Sequence, residues 1–185
     1  MRFEADAVIP KPCAMVFRAY RDHLPQLVEG LPRIKRIEVE SRTDEGPQTE
    51  LVNVWYAASK IPAVAEKILP DVLSWHDYAR WDEARWRCDW RVESHVFTEA
   101  VQCSGHTKFV DIGARTRVEI EGDIRIDLSK VHVPELLANP ISNSVERFFV
   151  RLFTPNLLSI SDALEDYLSG DAGSGGMTPV PTGAL

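Results

Sequence analysis

Residues 2 to 9 alternate, with Phe3, Ala5, Ala7 and Ile9 on one side and Arg2, Glu4 and Asp6 on the other. That is the period of a half-buried strand, and Pro10 and Pro12 end it. From Pro12 to Gly30 the period changes. Met15, Val16, Ala19, Tyr20, Leu24, Leu27, Val28 and Leu31 recur at intervals of three and four, which predicts an amphipathic helix that Pro25 divides in two. Two strands follow, about 34 to 43 and 49 to 59, joined by Asp44-Glu45-Gly46-Pro47, a composition suited to a tight hairpin turn. Residues 61 to 69, between Pro62 and Pro70, read as a short helix or irregular crossing.

Alternation returns from 71 to 128 and predicts four more strands, near 71–81, 84–94, 97–110 and 113–128. The last is the clearest: Val118, Ile120, Ile124, Ile126 and Leu128 share one face, and Arg117, Glu119, Glu121, Asp123, Arg125 and Asp127 the other. After a loop over 131–137, Asn139-Pro140 supplies a cap and first turn for a long C-terminal helix. Its stripe is Val145, Phe148, Phe149, Leu152 and Phe153, continued by Leu157, Ile160, Leu164 and Tyr167 beyond a kink at Pro155. A Gly- and Pro-rich tail is expected from 169 to 185, leaving one domain over 1–168.

The order is strand, split helix, two strands, a short crossing, four strands and a long helix. Such a chain buries its apolar faces most readily as a twisted sheet curled around the last helix, an α+β architecture of six or seven antiparallel strands. With "RFEADAVIPKPCAMVFRAYRD" at the start and "ARTRVEIEGDIRIDL" before the final helix, the chain resembles the START-related superfamily over residues 2 to 168. This is the birch-pollen-allergen-like, helix-grip group, which includes polyketide cyclases. The resemblance implies a cavity between the sheet and the last helix that holds a lipid, sterol, aromatic polyketide or similar apolar molecule. It carries over no catalytic motif, since fold and function separate readily in this group.

Tryptophans are the strongest local signal. Leu73, Trp75, Asp77, Ala79 and Trp81 share one strand face, and Trp86, Cys88, Trp90 and Val92 a face of the next. Turned inward, the four indoles would wall a pocket for an aromatic or polycyclic ligand; the competing reading is that they only fill the core. Asp77 on the same face would be a polar anchor or general acid with a raised pKa. A one-residue register error, or pairing with Arg80, Arg85, Arg87 or Arg91, would instead leave it neutralised or exposed. The rarity of buried unpaired acids favours that second reading. Trp55, with Asn53 on its strand, is a further wall candidate, as are Cys103, Phe149 and Leu152.

Composition narrows the classes. The 185 residues carry 21 Lys and Arg against 28 Asp and Glu, a formal charge of −7, so no broad positive field offers itself to nucleic acid. Acids interleave with the arginines near the tryptophans, which makes a solvated strand face the better reading there than a base-stacking surface. Three cysteines without a CxxC pair and no basic, apolar leader point to a reducing, cytoplasmic address. No apolar run is long enough for a membrane span. The five histidines have no chelating spacing, and GxGxxG, GxxxxGK and GxSxG are absent, so neither metal nor cofactor is expected. The leading expectation is binding or carriage of a small hydrophobic molecule. A cyclase or aromatase acting through Asp77 or a histidine comes second, and a co-chaperone-like interaction module with a collapsed pocket third.

Overall fold

The computed structural model describes residues 2–31, 34–57, 73–95, 98, 101–127 and 159–170. Seven antiparallel strands form one curved sheet: β1 (Arg2–Ile9), β2 (Ile34–Glu45), β3 (Gln48–Ala57), β4 (Ser74–Asp82), β5 (Arg87–Ser94), β6 (Val101–Asp111) and β7 (Thr116–Ile126). Their spatial order is β1-β7-β6-β5-β4-β3-β2, so every consecutive pair from β2 to β7 lies side by side and only β1 reaches across, to β7. The fold is the α+β class expected, with all seven strands where alternation placed them to within a few residues. The β2–β3 turn is tighter than the four-residue spacing suggested: the strands run to Glu45 and from Gln48, and Gly46 takes a φ of +59° that a glycine adopts without strain.

Between β1 and β2, helix α1 (Cys13–Asp22) buries Cys13, Val16, Phe17, Ala19 and Tyr20. A 3-10 helix, Leu24–Gly30, follows with Pro25 in its first turn and buries Leu24 and Leu27. The proline has no N–H to continue α1, so the chain re-enters as a tighter helix after His23. Near the C-terminus residues 159–170 are helical, two residues into the segment expected to be tail; this helix is α2. Ile160 and Leu164 on it are fully buried, and a Cβ on Gly30 would run into the Ala163 side chain, so the 3-10 helix and α2 meet closely. The crossing at 61–69, the loop at 131–137 and the helix start at Asn139-Pro140 lie outside the described residues.

The core joins the sheet's inner face to α1. Phe17 is completely buried and meets Trp81, Trp86 and Phe109 edge-on, with ring centroids 5.1 to 5.2 Å apart. Edge-to-face contact sets the positive ring edge against the negative face, which adds to the burial itself. On β7 Val118, Ile120 and Ile124 are buried, as the alternation implied.

Candidate functional site

The registers bring the inward residues of β3, β4 and β5 into one wall. Trp55 lies opposite Trp75 and Asn53 opposite Asp77. Across the other edge of β4, Trp81 faces Cys88 and Ala79 faces Trp90. The Trp55 and Trp75 rings stack at 6.0 Å with 16° between their planes. With Phe3, Tyr20 and Ile160, most of these side chains line a hollow that opens to solvent. Trp55, Trp75, Asp77, Trp81, Cys88 and Trp90 all line it.

The remaining candidates sit elsewhere. Trp86 precedes β5 in the turn and takes a left-handed φ of 50°, which breaks the alternation that would have put it beside Cys88. It is held there by the Phe17 ring and by Phe109, whose N–H donates to the Trp86 carbonyl at 2.9 Å. Cys103 is buried in the core opposite Val92, while Cys88 is opposite Thr107, so the two thiols are not cross-strand partners. All three cysteines are free, and burial pushes the Cys103 thiol up to about 12. Phe149 and Leu152 lie outside the described residues.

Asp77 departs from the exposed or salt-bridged reading. It is half-buried in the wall of the hollow, and no Lys, Arg or His is part of that wall among the described residues. The arginines that were its expected partners are engaged outside: Arg80 with Gln48 and Glu50, Arg85 with Asp82, Arg87 with Asp89, and Arg91 with Glu93. Asn53 donates to Asp77 from 3.5 Å, a long hydrogen bond. Desolvation raises the carboxyl from 3.8 to about 6, against smaller lowering by Asn53 and the Trp55 indole. The burial penalty wins because a weak neutral donor stabilises a carboxylate less than lost water destabilises it.

Two indole N–H groups of the wall, on Trp55 and Trp81, are buried and make no hydrogen bond of good geometry. Trp90 differs: its N–H donates to the Thr107 hydroxyl at 3.2 Å. Its ring crosses a gap in the sheet's inner surface made by two glycines. Trp90 is opposite Gly105 on β6, Gly105 opposite Gly122 on β7, and Gly122 opposite Phe3 on β1. A Cβ on Gly105 would collide with the Glu121 carbonyl and stand 2.6 Å from the Trp90 ring. A Cβ on Gly122 would collide with Phe3 and stand 2.8 Å from Trp90. The pair thus lets Trp90 and Phe3 stack at 6.2 Å. Sequence reasoning missed Phe3, Tyr20, Leu24, Thr107 and Ile160 as lining residues. The signal available was a glycine inside each of two strands, which marks a close approach.

The sheet's outer face holds a different polar group. Ser74 Oγ lies 2.7 Å from His95 Nδ1, His95 Nε2 lies 2.8 Å from His76 Nδ1, and His76 Nε2 lies 3.2 Å from Glu40. With both rings neutral the directions are settled by Glu40, which only accepts. His76 Nε2–H then donates to Glu40, His95 Nε2–H to His76, and Ser74 O–H to His95. Desolvation and the neighbouring His76 hold the His95 pKa below its usual value. Among the described residues no group of three or more His, Cys, Asp or Glu could hold a metal ion. No described helix is long and apolar enough to cross a membrane.

This geometry matches a set of solved structures. The chain is similar to the Zhui aromatase/cyclase of Streptomyces sp. R1128, with a TM-score of 0.67 and 14% identity over 96% of this chain and 99% of that one. A protein of Thermus thermophilus aligns with a TM-score of 0.65 and 20% identity, covering 93% and 99% of the two chains. Norcoclaurine synthase of Thalictrum flavum aligns with a TM-score of 0.55 and 14% identity, covering 91% and 92%. No family model and no curated protein matches the chain. At these identities the likeness is one of fold: the chain has the helix-grip fold that its sequence pattern resembles.

Proposed function

We propose that the protein binds a small hydrophobic molecule in the hollow between its sheet and the C-terminal helix. The observation that carries this reading is the unfilled space itself, walled by Trp55, Trp75, Trp81 and Trp90 around a single carboxyl group. A site that is mostly apolar with a few polar groups is the usual make-up of a small-molecule pocket. Burial of about 300 Å² of ligand at about 25 cal/mol/Å² contributes about 7 kcal/mol before entropy losses, which suits reversible carriage. The interaction-module alternative required a collapsed interior, and the hollow speaks against it. Titration with fatty acids, sterols and flavonoid-like aromatics, read by tryptophan fluorescence, tests the reading. A member of the panel should change the emission saturably; a flat response across all of them overturns it.

A second reading has its own support. Asp77 is a titratable group inside the hollow with a pKa of about 6, close to where a general acid or base works best. Aromatase/cyclase appears among the proteins of similar fold. In this reading Asp77 moves a proton on a bound polyketone. Asp77→Asn would then abolish turnover while binding persists, whereas equal turnover in both proteins removes Asp77 from the chemistry.

A further inference from the structure

The unmet hydrogen-bonding groups of the wall specify more about the ligand than its hydrophobicity. Resting on the ligand-binding reading above, we propose that Asp77 and the unpaired Trp81 indole donor make the hollow a site for uncharged ring compounds bearing oxygen, and that Asp77 bars organic anions from it.

Trp81 is 3% exposed, so its indole N–H has been taken out of water without gaining a protein acceptor, whereas the Trp55 indole acts on the Asp77 carboxyl. A buried donor in that state recovers its lost hydrogen bond only when something in the hollow accepts from it. Ligand oxygen is the ordinary acceptor, and a protonated amine is none. Asp77 and Trp81 are four residues apart on β4, roughly 13 Å along a strand at about 3.3 Å per residue. They therefore address different parts of a ligand of ring-system size. Near Asp77, where the Trp55 indole also acts on the carboxyl, a hydroxyl suits both groups, since it accepts from the indole and donates to the carboxylate.

An anionic ligand meets the opposite case. Its carboxylate would share a desolvated space with Asp77, and the described wall holds no cation to separate them. Like charges in a low-dielectric site repel strongly, so one of the two must take up a proton before the anion enters. The raised pKa of Asp77 places that protonation within reach of mild acid. Discrimination against anions should therefore weaken as the pH falls below about 6.

Three probes with one ring system separate the possibilities: 2-naphthol, 2-naphthoate and the 2-naphthylmethylammonium ion, with naphthalene as reference. In calorimetric or fluorescence titration at about pH 8, naphthol should bind at least about tenfold more tightly than naphthoate, and the gap should narrow at about pH 5. Asp77→Asn, nearly isosteric, should bring naphthoate to within about threefold of naphthol at the higher pH. Trp81→Phe should weaken naphthol several-fold while leaving naphthalene unchanged. Equal binding of naphthol and naphthoate by the native protein overturns the proposal, as does tightest binding by the ammonium ion. A gap that survives in Asp77→Asn removes Asp77 from selection. If no probe binds, naphthalene included, the ligand-binding reading falls with it; if naphthalene and naphthoate bind alike, only the selection rule falls.

Discussion

Strand β4 presents two faces that treat polarity in opposite ways. Outward, Ser74, His76 and Arg80 are all partnered, and the Arg91 guanidinium lies 4.2 Å from the centre of the Tyr78 ring. Inward, on alternate positions, Asp77 has a long hydrogen bond from Asn53 and a weak one from the Trp55 indole, and Trp81 an indole N–H with none. Water could have satisfied the outer groups without help, yet they are the ones that find partners. The inner groups, for which an unmade bond costs most, go short. Stability alone would select the reverse arrangement. The contrast is what a site for a visiting molecule requires, because groups already satisfied by the protein have nothing left to offer a ligand.

The sharpest way to break this contrast is to fill the inner face. Gly105→Ala places a methyl against the Glu121 carbonyl and the Trp90 ring and should cost about 3 kcal/mol in urea unfolding, with a shift in tryptophan emission. A cost under about 0.5 kcal/mol would mean that the ring has room to move aside, and that the glycine pair does not shape the wall.

Next in size is the inner charge. The Asp77 carboxyl titrates at 3.8 in the reference state and about 6 in the folded protein. Between these values the folded state keeps a proton that the unfolded state has lost, so stability falls as pH rises through that window. Asp77→Asn should therefore stabilise the protein at about pH 8 by roughly 2 kcal/mol, the gain vanishing towards about pH 4. Urea midpoints at the two pH values check both sign and window. A destabilised variant at the higher pH would reveal a cation beside Asp77 and cancel the difference between the two faces.

Exposed charged positions should respond least. Arg42→Ala removes ion pairs to Asp22 and Asp44 on a side chain 38% exposed, and should cost no more than about 1 kcal/mol, less in high salt. Glu40→Gln should change stability by no more than about 0.5 kcal/mol. Its effect should appear instead in nitrogen NMR of His76 and His95, whose hydrogen-bond directions Glu40 sets. Unchanged ring-nitrogen shifts would show that the chain from Ser74 to Glu40 is not oriented by the carboxylate.

Much of this is readable along the chain because it is local. Alternation of Trp75, Asp77, Ala79 and Trp81 needs only the two-residue period of one strand, and the break before the 3-10 helix needs only Pro25. What escapes such a reading depends on partners far away in sequence. Trp86 stays packed on Phe17 in the core yet falls outside the wall of the hollow, because it sits in the turn before β5 with a left-handed φ. General rarity assigns Asp77 to solvent or to an ion pair, and only the registers show that its direct neighbours across the strands are the uncharged Asn53 and Val92.

The glycine pair at 105 and 122 carries one further consequence. Part of this chamber's width comes from omitting two side chains, and the layers did not have to be spread to provide it. Its dimensions are therefore open to change at Gly122, where an added carbon meets the tips of the Phe3 and Trp90 rings, and closed at Gly105, where the backbone of the next strand already stands in the way.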